Sequence, residues 1–226
     1  MLQVPPLGPA VPRRGNPLTR GIAILVLRVM GWRFEGEVPD RPKVVVVVAP
    51  HTSNWDFVVG LAADLALGLR IRFIGKDTLF GPALGWFMRW AGGIPVDRAA
   101  PEGVIEAAAA SFRDESQLFL ALTPEGTRRR VERWKTGFWR IARAAAVPVW
   151  AVALDWSRRV VRLHPPFETS ADIEADLRAL QARFSAEMAR RPENYGVQIA
   201  PNGASRAREG LGPTSAKPFP HASKSL

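Results

Sequence analysis

The sequence predicts an α/β layered domain in which a mixed, largely parallel sheet is flanked by helices. One observation is the run KVVVVVAP at 43–50. It is β-branched and apolar on both faces, as a central strand covered on both sides must be. Further short apolar runs at 71–75, 117–122 and 148–155 alternate with helical patterns at 55–68, 101–114 and 134–146, the rhythm of a sheet with crossover helices. Length supplies the third observation. A chain of 226 residues with 47% hydrophobic content fills one core and falls short of two full domains.

In chain order, residues 1–17 are rich in Pro and Gly with little periodicity, which predicts a disordered N-terminal segment. A helix follows at 18–32, its aliphatic run framed by Arg20, Arg28, Trp32 and Arg33. The apolar stretch Gly21 to Gly31 is interrupted by Arg28 and is about half of the roughly 20 residues a spanning helix needs. No transmembrane segment is therefore expected, and the helix is assigned instead to a membrane interface. The valine strand stops at Pro50, leaving His51 at a strand exit, and Ser53 or Asn54 caps the helix at 55–68. After the strand at 71–75 comes a Trp-rich helical segment at 78–90, a short strand in GGIPVDR at 92–98, and the helix at 101–114. The strand at 117–122 leads through the turn TPEGT to the helix at 134–146. Strands at 148–155 and 159–163 and an amphipathic helix at 170–190 complete a domain spanning 18–200. Residues 201–226 mix Gly, Ser, Pro, Lys and Arg without an apolar pattern and read as a disordered basic tail.

Charge and absent residues narrow the function. Lys and Arg number 31 against 21 Asp and Glu, a formal net charge of +10, so the partner is expected to be anionic. Phospholipid headgroups and phosphorylated small molecules fit that charge. No nucleic-acid motif with an aromatic readout surface accompanies it, and nucleic acid is not expected. With no cysteine there is no thiolate nucleophile, disulfide or Cys-bound zinc. His51, His164 and His221 are too scattered to predict a metal site. G-x-S-x-G, Walker and G-x-G-x-x-G patterns are all missing.

Four segments carry candidate chemistry. In HTSNWD at 51–56, a His leaves a buried strand and an Asp follows five residues later at a helix start. An Asp accepting from one imidazole nitrogen fixes the tautomer and stabilises the imidazolium, so the other nitrogen can take a proton from a hydroxyl. The competing reading is a loop histidine beside a helix-capping acid. In TPEGTRRR at 123–130, Gly126 frees the backbone and Arg128 offers a bidentate phosphate ligand. Glu125 either holds the loop or binds a substrate hydroxyl, while Arg129 and Arg130 read as a solvated basic turn. Arg98 in GGIPVDR is placed to complete a cationic pocket, with Asp97 as its ion-pair partner, and Lys76 is either a further cation or a surface lysine. Trp86 and Trp90 lie four residues apart on an apolar segment that suits a membrane interface or core packing equally.

Taken in order and spacing, HTSNWD at 51–56, GKDTLFGPALGWFMRWAGGIPVDR at 75–98, PEGTR at 124–128 and AVPVWAVAL at 146–154 resemble the four blocks of the glycerolipid acyltransferases, which include the 1-acylglycerol-3-phosphate acyltransferases. Pro50, Thr123 and Ala151 depart from the residues common in those blocks. The resemblance implies a glycerol-3-phosphate acyltransferase-like fold. It implies transfer of a fatty acyl group from acyl carrier protein or coenzyme A to a hydroxyl of a lysophospholipid, with the thioester as co-substrate and no other cofactor; the alternatives are a non-glycerol lipid acceptor, or a non-catalytic basic protein that binds membrane or nucleic acid. It implies His51 as general base and Asp56 as its orienter, and places Lys76, Arg98, Glu125, Gly126, Thr127 and Arg128 in acceptor-binding blocks. Together with the basic charge, it predicts a peripheral enzyme on anionic lipid at the cytoplasmic face of the cell membrane.

Overall fold

Lys43–Ala49, the valine run, forms a strand whose four residues Val44 to Val47 have no solvent exposure at all. The structure, a computed structural model, describes residues 2–96 and 101–196. Around that strand, β2, the sheet assembles from β1 (Arg33–Gly36), β3 (Ile71–Lys76), β4 (Gly93–Val96), β5 (Leu118–Leu122), β6 (Val149–Asp155) and β7 (Val160–Leu163). Its order is β1-β7-β6-β2-β5-β3-β4, so β2 is central. Every neighbouring pair is parallel except β6 with β7.

The period of two in β2 divides its side chains between two cores. Val45 and Val47 face Phe112, Phe138 and Ile141, from helices α4 (Pro101–Asp114) and α5 (Gly137–Ala145). Leu180 of α6 (Ile173–Gln181) joins that layer. Val44 and Val46 face Leu27, Val59 and Ala66, from α1 (Pro17–Val29) and α2 (Asn54–Leu67). Each fully buried valine contributes about 1.5–3 kcal/mol. A polar substitution at Val46 would therefore lose that term and add an unsatisfied group.

Local chemistry fixes the helix ends. Ser53 caps α2 by accepting from Trp55 N–H, and Gly68 ends it at φ 77°, a left-handed conformation that costs glycine little. Pro17 occupies the first turn of α1, where its missing N–H is no loss.

Three expectations need correction. Residues 2–16 run as chain packed on the domain, contrary to the disorder expected over 1–17. Val11 is 2% exposed, Ala10 N–H donates to Asp40 Oδ1 at 2.8 Å, and Arg14 pairs with the buried Asp64. Prolines here stiffen an extended path instead of leaving it unstructured. The helix expected at 78–90 is a 3-10 turn at Asp77–Phe80 followed by α3 (Gly85–Trp90). Pro82 disfavours helical geometry at the residue before it, and Gly81 is extended with ψ 176°. The helix expected at 170–190 ends at Gln181, and a 3-10 turn at Ala186–Met188 returns the chain to the end of β6, where Trp156 N–H donates to Met188 C=O. Strand β1 was not anticipated, because four residues with only their middle two half-buried leave little alternation to read. The tail at 201–226 lies outside the described residues.

Candidate active site

Strands β6, β2, β5, β3 and β4 are adjacent and mutually parallel, so their C-terminal ends share one edge. Open α/β sheets bind ligands at that edge. Trp156 follows β6, His51 follows β2, Glu125 follows β5 and Lys76 ends β3. Arg98 and Asp97, two residues or fewer beyond the end of β4, lie outside the described residues.

Asp56 is the third residue of α2 and also the partner of the strand-exit histidine. Its Oδ2 accepts from the amides of Thr52 and Ser53, both at 2.7 Å, and its Oδ1 accepts from Trp156 Nε1 at 2.7 Å. His51 Nδ1 stands 3.7 Å from that same Oδ2, an ion-pair distance that is longer than a hydrogen bond. Helix capping and partnership with the imidazole are thus two uses of one carboxylate. Catalytic contacts of this type often shorten once substrate is bound. Burial pushes the Asp56 carboxyl above its ordinary range, opposed by the donors from Ser53, Trp156 and Thr52 and by the charge of Arg190. The His51 side chain keeps 18% exposure beside an Asp56 side chain that has none, so a substrate can reach the imidazole and not the acid behind it.

Glu125 is 3% exposed, and its Oε2 accepts the His51 backbone amide at 2.7 Å. Of the two roles open to it from sequence, holding the loop is the one this geometry fits. Its other oxygen, Oε1, is sealed from solvent as well, which leaves no face for a substrate hydroxyl. Desolvation pushes its carboxyl up to about 8 against the opposing His51 amide, and the nearby charge of Asp56 raises it further. Burial thus raises both of these neighbouring carboxyls.

That shift has a stability consequence. A glutamic acid titrates near 4.3 in the unfolded chain, so between there and about 8 the folded protein binds more protons than the unfolded one. The contribution of Glu125 is then fully present below the unfolded value and is lost as pH rises toward the folded one. Thermal melts of wild type and Glu125→Gln across this window should show a shallower decline for the variant. Parallel curves would contradict the assignment. Gln keeps an acceptor for the His51 amide, whereas Glu125→Ala leaves that amide without it.

Beyond Glu125, Gly126 turns the chain at φ 65° and donates its amide to Thr123 C=O at 3.0 Å. Thr127, Arg128, Arg129 and Arg130 then emerge into solvent. Lys76 is likewise exposed. The fold thus brings His51, Asp56 and Glu125 together and leaves Lys76 and Arg128, the candidate cations among the described residues, exposed.

A sequence model of the Acyltransferase family matches residues 33–155, which include His51, Asp56, Glu125 and Arg128. The chain belongs to the acyltransferase family. It is similar to the 1-acyl-sn-glycerol-3-phosphate acyltransferase of Streptococcus pneumoniae, 28% identical over 118 residues, or 48% of this chain and 42% of that relative. It thus spans less than half the length of the curated relative it matches. In structure it resembles the 1-acyl-sn-glycerophosphate (LPA) acyltransferase of Thermotoga maritima, with a TM-score of 0.55, 19% identity, and coverage of 74% of this chain and 75% of that one.

Three residues of this acyltransferase site escaped sequence reasoning. Trp156 donates to Asp56 from 100 positions away. Arg190 stacks over Trp55 and Trp156, at 5.3 and 4.5 Å from their ring centres. Thr52 receives Arg191 N–H at its hydroxyl and Asn194 Nδ2 at its carbonyl. Trp55, Trp156, Arg190 and Arg191 line an open cleft of ≈ 500 Å³ beside Asp56. A tryptophan one residue past a buried strand was the only signal in the sequence, and strand order was needed to use it.

Proposed function

We propose that this protein transfers a fatty acyl group from an acyl carrier protein or coenzyme A thioester to a hydroxyl of a lysophospholipid such as 1-acylglycerol-3-phosphate. The observation that carries the reading is the His51–Asp56 pair at the C-terminal edge of the sheet, its carboxylate held by three N–H donors. His51 takes the proton of the acceptor hydroxyl as its oxygen attacks the thioester carbonyl. Collapse of the tetrahedral intermediate breaks the carbon–sulfur bond, and the imidazolium returns the proton to the departing thiolate. Products are the ester and the free thiol. Asp56 acts by stabilising the imidazolium and fixing the ring. Arg128, Lys76 and Arg98, with the Thr127 amide that follows the Gly126 turn, supply the cations and the donor suited to the acceptor phosphate. Incubating purified protein with labelled acyl thioesters of both carrier types and a panel of lysolipids tests the reading. Diacyl product that requires a phosphate-bearing acceptor is expected, and no product from any pair would overturn it.

The acceptor is a lipid, which calls for a membrane surface. No helix among the described residues is long and apolar enough to cross a bilayer. What supports peripheral binding is one face of α1, where Leu18, Ile22, Leu25 and Val29 are 71%, 55%, 59% and 79% exposed at helical spacing, with Arg28 exposed nearby. Trp86 and Trp90 of α3 are exposed too, and Arg14, just ahead of α1, donates to Trp90 C=O. Replacing both Ile22 and Leu25 by Glu should abolish cosedimentation with anionic vesicles while leaving turnover of a short-chain soluble acceptor intact. Undiminished vesicle binding would remove α1 as the anchor. We propose the cytoplasmic face of the cell membrane as the setting of this surface.

A further inference from the structure

We propose that Trp156 is a positioning residue for acyl transfer, its indole N–H fixing the plane of the Asp56 carboxylate so that Oδ2 is turned toward His51. The proposal rests on the base role given to His51 above. An aspartate can rotate about its terminal bond, and the two amides on Oδ2 hold only one of its oxygens. The bond from Trp156 Nε1 to Oδ1, at 2.7 Å, closes the remaining freedom. Adjacent strands make this contact, since Ala49 of β2 is in register with Ala153 of β6. His51 lies two residues beyond the first and Trp156 three beyond the second.

The indole is itself held on two sides and its main chain by a third contact. Trp32 packs edge-on against the ring at 4.9 Å between ring centres, the Arg190 guanidinium covers it at 4.5 Å, and the backbone amide of Trp156 donates to Met188 C=O at 2.9 Å. The segment that supplies the last two contacts continues to Arg191 and Asn194, which grip Thr52. Thr52 is one of the amide donors to Asp56. Both ends of the donor set are thus tied to one strap at 188–194. Trp156 and this strap lie beyond the segment, 33–155, that the family model matches. A donor to a carboxylate also favours its ionised form, in line with the lowering effect of Trp156 on Asp56.

The test replaces Trp156 by 3-benzothienylalanine, which keeps the bicyclic shape and puts sulfur where N–H stood, alongside Trp156→Phe. A hydrogen bond to a charged group is worth enough that its loss should lower kcat by roughly 10- to 100-fold. KM for the acceptor should hold, and the acidic limb of the rate profile should move to higher pH. Trp32→Phe serves as the packing control, and a lower melting temperature with an unmoved pH profile is expected. Wild-type kcat and pH profile in the benzothienyl variant would overturn the proposal, as would the same pH shift in Trp32→Phe. Wild-type kcat in His51→Ala would instead overturn the base role on which it rests.

Discussion

Replacing His51 by Ala should lower kcat for acyl transfer by about 10²–10⁴-fold, the span that a positioned general base contributes. The acceptor hydroxyl is a weak nucleophile while it keeps its proton, and the His51–Asp56 pair is the unit proposed to remove it. KM for the lysophospholipid should change little, since the proposed phosphate ligands sit on other loops. Folding should survive, because the substitution removes an imidazole and not the backbone amide that donates to Glu125. Residual turnover would then come from holding the two substrates together. Steady-state rates with labelled thioester, read beside thermal melts, separate these effects. Wild-type kcat in a folded variant would end the case for base catalysis, and lost rate with a large fall in melting temperature would show that His51 serves the fold.

The sequence was most informative where one element settles its own environment. A run of five valines cannot be half-exposed without cost, so the central position of β2 followed from residues 44–48 alone. The spacing from His51 to Asp56 was legible for a similar reason: Ser53 caps α2, and a third-position acid must return toward the residues before the cap. Long-range partners were not legible. Glu125 reaches the His51 amide because β5 lies beside β2, and Trp156 reaches Asp56 because β6 lies on the other side. Strand order is decided by how whole helices cover the sheet, which local pattern does not encode. The break in the helix expected at 170–190 has the same origin. Leu180 and Phe184 continue an apolar stripe, but the chain leaves the helix to bring Met188 to Trp156 and Arg191 to Thr52.

Asp56→Asn separates orientation from base chemistry. Its carboxylate faces three N–H donors, two on Oδ2 and one on Oδ1, and an amide can present its oxygen to only one of those groups. With the oxygen toward Thr52 and Ser53, the NH₂ meets Trp156; flipped, it meets both backbone amides. Either arrangement leaves buried donors facing one another, at a cost of about 1–3 kcal/mol in stability. The imidazolium formed during transfer also loses its counter-charge, so kcat should fall by roughly 10³–10⁴-fold, as when the acid of a His–Asp pair is made neutral. The double variant His51→Ala, Asp56→Asn then decides how the two are connected. If Asp56 works through His51, the double variant should be no slower than His51→Ala alone, because residues acting as a unit are strongly non-additive. Rate losses that multiply would show Asp56 acting on the substrate by a separate route. Equal rates for the single and double variants, with the melting temperature lowered by the Asn, would place its catalytic effect wholly on the imidazole and its structural effect on the start of α2.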